Sequence, residues 1–533
     1  MSPNQTSTQT TSDPTSGRGR IVLPALIAIL FLSVALFQAH LKLLWGDEFV
    51  TYWIGQQHSF NGIWRALASG ADPNPPLMHL LNWASTSLFG SSSIAVRLPS
   101  IFAVALALAS LWCLLRRYVA PVYAAAGCLA LMTTRGFDYT YDARSYGLLL
   151  GFALAALATW NAANFHTGIH RYLYLAVMAV ALACGLSSNY YGVLAFFPIA
   201  AGEFYRFITT RKFHPGVWLA MFLATLPLLA YRPLIHANLT EFGPHAWNKP
   251  QLSMISDSYL VIVEGIIWPV LILFAIYLWK RRSSNPTSLP TELRIAAATL
   301  LAYPIIGFAL AYPGSAMISP RCVIPVCAGV AIAGVDLLAR LISRRAATAA
   351  VLFLFVWVAS RELACALILR QQRHVFFHLR NDIERAAAPG ERVLIGDSLV
   401  VMPLYWYSSP ALRQQIVFPI DFAAIHRFEP DDSGEQNLWG GRNGVFPVPI
   451  ASPSALIPPE AESLLVASPT GWLAQTLTTN SFTLHPDDTN PWGDLGGVFT
   501  PLAHPATRIY FVTPPATAAN PIAGAPPAVS SNP

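Results

Sequence analysis

Long apolar runs, repeated through the first two thirds of the chain, constrain this sequence more than any other feature. The first run is IVLPALIAILFLSVALFQAH, at residues 21–40, and similar runs lie near 97–115, 120–134, 145–163, 172–186, 189–207, 215–233, 258–280, 295–312, 321–341 and 346–368. Only 11% of the residues are charged, whereas soluble domains carry about 25%. Since a helix needs about 20 apolar residues to cross a bilayer, the sequence predicts a polytopic α-helical membrane protein with about eleven transmembrane helices.

The positions of Lys and Arg predict the orientation of these helices. Basic residues favour cytoplasmic loops. If the N-terminus is cytoplasmic, the basic clusters at 116–117, 211–212, 280–282 and 344–345 all fall on the inside. An odd number of spans then places the C-terminal region outside. These loops account for the formal net charge of +6, and we expect no nucleic-acid partner.

Composition and loop length divide the chain further. Residues 1–17 are rich in Ser, Thr, Pro and Gln, which predicts a disordered cytoplasmic head, and residues 18–371 form the transmembrane domain. The first outer loop, residues 41–96, is far longer than a connection between two helices needs. Apolar residues recur there at helical spacing in two stretches, so we predict two amphipathic helices in the outer interface.

From about residue 372 the long apolar runs stop and charged residues and Pro become more frequent. RVLIGDSLVVMPLYWYSS is typical of a strand followed by a helix, SLLVASPTGWLAQTL repeats that pattern, and TRIYFVTPP indicates a final strand. We therefore predict an extracytoplasmic, soluble α/β domain at residues 372–512. Residues 513–533 are predicted to form a disordered tail.

The stretch LLWGDEFVTYW raises the first functional question, because it places Asp47 and Glu48 where the first apolar run ends. Neighbouring helical residues point about 100° apart, so one carboxylate could serve a site while the other holds it in place. A carboxylate here could act as a general base for an acceptor hydroxyl or as a ligand for a divalent metal. Alternatively, the acids cap the N-terminus of an amphipathic helix. The residues alone leave both interpretations open.

A second group of charges lies in TTRGFDYTYDARSYGLLL, a short outer turn between two spans. Arg135, Asp142 and Arg144 crowd this turn, and Tyr146 follows them. Such a network could orient a polar ligand, and the planar guanidinium suits a phosphate. The alternative is a structural salt-bridge cluster that holds the hairpin.

Two outer loops contribute further candidates. Arg321, in SAMISPRCVIPV, begins an apolar span on the side where positive charge is depleted, which indicates either a phosphate ligand or an interfacial Arg that extends toward water. His245, in EFGPHAWNKP, is either a metal ligand or a surface residue. No metal site is assigned; a divalent ion remains open, with Glu48 and His245 as its candidate ligands.

Taken together, WGDE after the first span, PPL in the outer loop, YDARSYGL, and a late Pro-Arg before an apolar span resemble the GT-C glycosyltransferases. The nearest resemblance is to the bacterial protein-mannosyltransferase and aminoarabinose- or galacturonosyl-transferase group, over roughly residues 20–370. It implies a protein of the bacterial inner membrane that transfers a sugar from a polyprenyl-phosphate donor on the non-cytoplasmic face, usually with inversion. The acceptor would be a lipid, a glycan or a protein.

The resemblance also implies roles for individual residues. Asp47 matches the family's loop aspartate, expected to act as a base on the acceptor or to position it, and Glu48 matches its acidic neighbour. Asp142, Arg144 and Tyr146 match the motif expected to line the donor side. Arg321 matches an Arg expected near the lipid phosphate, although Cys322 stands where that family usually has Tyr.

A transporter or flippase of lipid-linked glycans is the alternative function. Transporters tend to carry ionisable residues near the bilayer midplane and to contain repeated halves. Here the charges gather at the outer ends of the apolar runs, and no matching halves are evident.

Overall fold

The computed structural model describes residues 15–241, 249–269, 271–272, 275, 289–314, 317–429, 431–457, 461–487 and 507–515. Most of the predicted disordered head and tail, and the candidate metal ligand His245, lie outside the described residues. The predicted span near 258–280 is described only in part.

Helices make up most of the described residues as far as residue 386. They are α1 (Thr15–Leu41), α2 (Gly46–Gly55), α3 (Phe60–Ala68), α4 (Leu77–Phe89), α5 (Ser93–Leu115), α6 (Pro121–Met132), α7 (Arg135–Asp138), α8 (Tyr146–Ala163), α9 (Gly168–Ser188), α10 (Phe196–Thr210), α11 (Pro215–Ala224), α12 (Pro227–Ala230), α13 (Arg232–Glu241), α14 (Ser253–Val263), α15 (Thr291–Leu301), α16 (Tyr303–Ala311), α17 (Val326–Leu341) and α18 (Arg344–Ala386).

Five of these helices, α1, α5, α8, α9 and α18, are long and apolar enough to cross a membrane, and the described residues hold up to seven spans if each of two bent pairs counts as one. The bends lie between α12 and α13 (58°) and between α15 and α16 (53°). In the second pair Pro304 removes a backbone donor from the first turn of α16. The chain is therefore a multi-pass membrane protein. The count of eleven stays a prediction, because α6, α10, α14 and α17 are shorter than the roughly 20 residues that a helix needs to cross a bilayer.

The outer loop contains three helices, α2, α3 and α4, and the prediction of two is wrong. The first predicted helix is divided between Gln56 and Ser59. His58 adopts a positive φ of 50°, which ends one helix, and Ser59 starts the next by accepting a hydrogen bond from the backbone N–H of Gly62. A local turn and a serine cap thus override the continuous apolar spacing.

Helix α18 continues for 43 residues, without a break, through the predicted boundary at residue 371/372. Beyond it lie strands β1 (Arg392–Ile395), β2 (Ile416–Pro419), β3 (Ile450–Ala451), β4 (Ser463–Ala467), β5 (Thr483–Pro486) and β6 (Arg508–Thr513). Helices α19 (Ser398–Tyr407), α20 (Pro410–Gln415), α21 (Phe422–Phe428), α22 (Ser433–Gly441), α23 (Pro453–Leu456) and α24 (Trp472–Thr479) connect them.

The six strands form one mixed sheet in the order β3-β2-β1-β4-β6-β5. Strands β3, β2, β1 and β4 run parallel to one another, whereas β6 pairs antiparallel with both β4 and β5. The predicted strand-helix units at β1-α19 and β4-α24 and the predicted final strand β6 are confirmed. Asp397 caps α19 by accepting a hydrogen bond from the backbone N–H of Leu399.

Two hydrophobic cores hold the described structure together. One lies among the membrane helices. The other joins the helices of the outer loop to the C-terminal sheet, and Phe49 of α2 packs against the rings of Trp406 and Tyr407 in α19. The outer loop is therefore fixed between the membrane helices and the sheet, and this arrangement sets the position of the acidic pair.

Candidate active site

Three segments that are distant in sequence meet beside α2, at one end of the helical bundle. Asp47 lies in the first turn of α2, Arg144 directly precedes α8, and Arg321 lies in the turn before α17. The Asp47 Oδ2 atom is 3.2 Å from Arg321 Nη1 and 3.8 Å from Arg144 Nε. The side chains of Asp47 and Arg321 remain 22% and 26% exposed. The structure thus presents a carboxylate and two guanidinium groups at a solvent-accessible position.

The helix-capping interpretation of the acidic pair is wrong. Trp45 occupies the capping position of α2 and makes no capping hydrogen bond through its side chain. Asp47 and Glu48 follow in the first turn, where negative charge is still favoured by the helix dipole. Their side chains nevertheless contact groups from other segments, so a capping role does not explain them.

Glu48 has no exposed surface and forms a two-point ion pair with Arg97 of α5. Arg97 Nε lies 2.7 Å from Glu48 Oε1, and Arg97 Nη2 lies 2.5 Å from Oε2. Glu48 Oε1 also accepts a hydrogen bond from the backbone N–H of Ala143. Arg97 in turn donates to the carbonyls of Ala39, Lys42 and Leu43, at the end of α1. Glu48 therefore joins α1, α5 and the turn that carries Arg144, and these contacts fit a positioning role better than the catalytic role predicted for it.

Arg144 is held by Asp72, a residue of the loop between α3 and α4. Arg144 Nη1 donates to Asp72 Oδ2 at 2.6 Å, and to the Asp47 carbonyl at 3.2 Å. Asp72 is almost completely buried, and its Oδ1 accepts hydrogen bonds from the backbone and side-chain nitrogens of Asn74. Burial alone would raise the pKa of Asp72, but the positive charge of Arg144 and the hydrogen bonds from Asn74 hold that pKa below its usual value. Asp72 is therefore an ionised carboxylate, and it holds the guanidinium of Arg144 in place.

His79 of α4 lies beside this pair, with its Nε2 3.8 Å from Asp72 Oδ2. The ring is 1% exposed. Burial lowers the pKa of His79 despite the attraction of Asp72, so the imidazole is neutral at pH 7. Because the ring is neutral, the negative charge of Asp72 remains to balance the positive charge of Arg144.

The remaining motif residues surround the same position. Asp142 Oδ1 accepts a hydrogen bond from the Trp45 indole at 3.1 Å, and its Oδ2 lies 3.8 Å from Lys42 Nζ. The ring of Tyr146 faces the guanidinium of Arg321, whose Cζ is 5.6 Å from the ring centroid. Arg321 contacts Tyr146 and Asp47, so its side chain packs against the protein. These contacts do not fit the alternative of an interfacial Arg that extends toward water.

Arg135 belongs to a different cluster. Its Nη1 lies 2.9 Å from Asp138 Oδ2, its side chain is 49% exposed, and Asp138 also pairs with Arg361 of α18. The described contacts of Arg135 therefore match the salt-bridge interpretation, whereas those of Arg144 place it beside Asp47. The charged turn divides into a structural cluster and a part of the site.

The described residues around Asp47 do not fit a metal ion. Both oxygens of Glu48 are taken by Arg97, and the two guanidinium groups beside Asp47 would repel a cation. In the described part of the chain no three His, Cys, Asp or Glu residues are grouped to hold a metal.

Sequence reasoning missed Asp72, Arg97 and Lys42 as parts of this region. Arg97 carried a signal, because a charged residue that opens an apolar run is costly unless it is paired. Asp72, in the turn ADPNPP, has the composition of an ordinary loop. Its role follows only from its contact with Arg144.

Comparisons with known proteins bear on the fold of the chain. Residues 73–232 match the model of the dolichyl-phosphate-mannose-protein mannosyltransferase family. No curated protein matches the chain in sequence. The crystal structure of ArnT from Cupriavidus metallidurans bound to undecaprenyl phosphate is similar, with a TM-score of 0.56 and 13% identity over 93% of this chain and 99% of ArnT. ArnT in the apo state gives a TM-score of 0.55, again at 13% identity, over 95% of this chain and 100% of ArnT.

The chain has the fold of the GT-C membrane glycosyltransferases, as the matched segment and the similar structures indicate. The resemblance to that group seen in the sequence is confirmed. ArnT is one protein whose fold is similar to that of this chain along nearly its whole length. At 13% identity that likeness concerns the fold.

Proposed function

We propose that this protein transfers a sugar from a polyprenyl-phosphate donor to an acceptor on the non-cytoplasmic face of the membrane. One observation carries the proposal: Asp47 Oδ2 lies within 3.8 Å of both Arg144 and Arg321. A base and two phosphate-binding groups thereby meet at one end of the bundle. The same fold in ArnT has been crystallised with undecaprenyl phosphate, a lipid of the class proposed here as the donor's carrier.

The arrangement suits displacement at a sugar carbon attached to phosphate. Arg321, with Tyr146 behind it, and Arg144, fixed by Asp72, would hold the phosphate and stabilise the charge that it gains as the bond breaks. The acceptor hydroxyl would form the new bond to the anomeric carbon and give its proton to Asp47. The electron pair of the broken C–O bond leaves with the lipid phosphate, so atoms and charges balance.

The carboxylates around Asp47 favour inversion at the sugar. A double displacement needs a second carboxylate as nucleophile, about 5 Å from the acid or base. Glu48 is buried and forms an ion pair with Arg97. Asp72 is buried and forms an ion pair with Arg144. Asp47 is the most exposed carboxylate of this group, with 22% of its side chain exposed against 11% for Asp142, which Trp45 and Lys42 contact. A single displacement that inverts the anomeric centre therefore fits best.

Helix ends support the proposed orientation. The basic residues at 116–117, 211–212 and 344–345 lie at one end of α5, α10 and α18 respectively. As the chain alternates between the two sides of the membrane, each of these ends falls on the side opposite the candidate site. By the positive-inside rule that side is cytoplasmic. The proposal therefore places Asp47 and the C-terminal sheet outside the cytoplasm, in a bacterial inner membrane.

The acceptor is a lipid, a glycan or a protein that reaches this outer face. A transporter or flippase is less well supported. The paired charges of the site lie next to the ends of α1, α8 and α17, whereas a transport pathway needs them near the middle of the spans.

The test measures loss of sugar from a panel of polyprenyl-phosphate sugars in membranes that contain either the wild type or Asp47→Asn. Loss of a general base slows transfer by about 100- to 10,000-fold. Asp257→Asn, the same substitution at an exposed residue of α14, is the matched control and should transfer sugar like the wild type. Equal sugar loss with wild type and Asp47→Asn, or none from any donor with the wild type, would refute the proposed function.

A further inference from the structure

Helix α18 carries one continuous exposed stripe along its length. Leu352, Val356, Leu363 and Leu367 are 62–64% exposed and follow one another at spacings of four or seven residues, which keeps them on one face of a helix. In a membrane helix such a face contacts lipid. The bilayer therefore reaches at least as far along this helix as Leu367.

The same face becomes cationic immediately after the apolar part ends. Continuing from Leu367 at spacings of three or four, the exposed residues are Arg370, His374, His378 and Asn381. Arg370 lies about 5 Å beyond Leu367 along the axis, and His374 about 10 Å beyond it. Since the head-group layer adds about 5–8 Å on each side of the hydrocarbon core, this cluster begins within that layer.

The cluster forms a shallow recess of about 290 Å³, which is lined by Arg370, Arg373, His374, Phe377, His378 and Asn381. The Nε2 atoms of His374 and His378 are 3.3 Å apart. Arg373 packs its guanidinium over the Phe377 ring, at 5.6 Å, and reaches the carbonyls of His40 and Leu41 at the end of α1. These contacts hold the recess at the same end of the bundle as Asp47.

The recess carries positive charge. In the described part of the chain, neither Arg370 nor Arg373 takes part in an ion pair. Their charge also opposes a metal cation at the two imidazoles. An anion is the ligand that this surface suits, because guanidinium groups bind phosphate oxygens strongly.

We propose that residues 370–381 form a binding site for the head group of an anionic phospholipid from the surrounding bilayer. Its acyl chains would lie along Leu363 and Leu367, and its phosphate would accept hydrogen bonds from Arg370 and the histidine pair. The lipid-facing stripe that leads into the recess identifies the occupant, because it delivers a phosphate at the depth of the arginines. This site is separate from the one proposed for sugar transfer.

Photo-crosslinking tests the proposal directly on the full-length protein. In nanodiscs, a phosphatidylglycerol with a photoreactive head group should label residues 370–381, and the matching phosphatidylcholine should not. Native mass spectrometry should then count fewer retained phosphatidylglycerol molecules for Arg370→Gln/His374→Gln. One basic residue near an anionic membrane contributes about fivefold in affinity, so a loss of at least fivefold is expected.

Arg385→Gln is the matched control, since Arg385 lies further along the same helix and its side chain is 76% exposed. It should retain phosphatidylglycerol like the wild type. Equal labelling by both lipids, equal retention by the double variant, or the same loss with Arg385→Gln would each overturn the proposal. Loss of labelling when inorganic phosphate is added would identify free phosphate as the ligand and overturn it as well.

Discussion

The ion pair between Glu48 and Arg97 gives the sharpest test of how the site is built. In Arg97→Met the Glu48 carboxylate stays buried without its partner, and removal of one member of a buried pair costs about 3–5 kcal/mol. The carbonyls of Ala39, Lys42 and Leu43 also lose a donor, at about 1 kcal/mol each. We therefore expect strong destabilisation of the junction between α1, α2 and α5.

Glu48→Gln should cost less than Arg97→Met. The neutral amide can still accept the hydrogen bond from Ala143, and Arg97 keeps its three backbone acceptors. The lost charge-assisted contact is worth about 1.5–3 kcal/mol. The two variants should therefore unfold in a fixed order, with Arg97→Met at the lowest temperature, then Glu48→Gln, then the wild type.

Buried thiols supply the assay. Cys128 and Cys327 are 1% and 0% exposed, so a fluorogenic maleimide reacts with them only as the bundle opens on heating, whereas the exposed Cys113 sets the baseline. Arg392→Gln, at the exposed first residue of β1, is a control for loss of an arginine outside the pair. If the buried thiols of Arg97→Met became reactive at the same temperature as those of the wild type, the ion pair would not stabilise the junction, and the reasoning would be refuted.

Three further predictions concern other parts of the site. Burial lowers the pKa of His79 from its ordinary 6.5, so the folded state binds a proton at this ring less readily than the unfolded state does. The free energy of unfolding should therefore fall as the pH drops below 6.5, by up to about 1.4 kcal/mol per pH unit. In thermal unfolding, His79→Gln should make this pH dependence weaker. In Gly440→Ala a new Cβ would lie 2.5 Å from the backbone of Gly70, so the C-terminal sheet should separate from the outer loop and sugar transfer should fall. Arg321→Gln should weaken donor binding at least tenfold, whereas Arg135→Gln, at an exposed ion pair, should change it less than about fivefold.

Each of these predictions has a control or a contrary outcome. A pH dependence in His79→Gln as steep as in the wild type would contradict the first. Gly334→Ala, where a Cβ meets no atom within 4 Å, should transfer sugar normally, and a loss equal to that of Gly440→Ala would contradict the second. A larger effect from Arg135 than from Arg321 would reverse the division of the charged turn.

The fold was predictable where the governing signal is local. Apolar runs predicted the long helices α1, α5, α8, α9 and α18, strand-helix patterns predicted β1-α19 and β4-α24, and TRIYFVTPP predicted β6. Strands β2, β3 and β5 were missed. IVFP and IA are only four and two residues long, and TLHP is mostly exposed, so none of the three shows a period of two. The outer loop was divided wrongly because a single turn at His58 carries no hydropathy signal.

The candidate site was predictable in part. An acid pair where an apolar run ends, and arginines beside apolar runs, are costly features that point to function or to pairing. The sequence could not say which of the two applies, because pairing depends on residues elsewhere in the chain. Arg135 and Arg144 lie in one turn, yet one pairs with Asp138 and the other with Asp72.

The sequence by itself determined that this chain crosses a membrane many times, that Asp47, Arg144 and Arg321 lie at helix ends, and that its motifs resemble those of GT-C glycosyltransferases. Hydropathy and motifs are properties of neighbouring residues, so one dimension suffices for them. Only the tertiary structure decided the division of work between Asp47 and Glu48. Their partners stand far away, with Arg97 49 positions from Glu48 and Arg321 274 positions from Asp47. Packing of the helices alone brings such groups into contact, and it buries Glu48 while it leaves Asp47 open to a substrate.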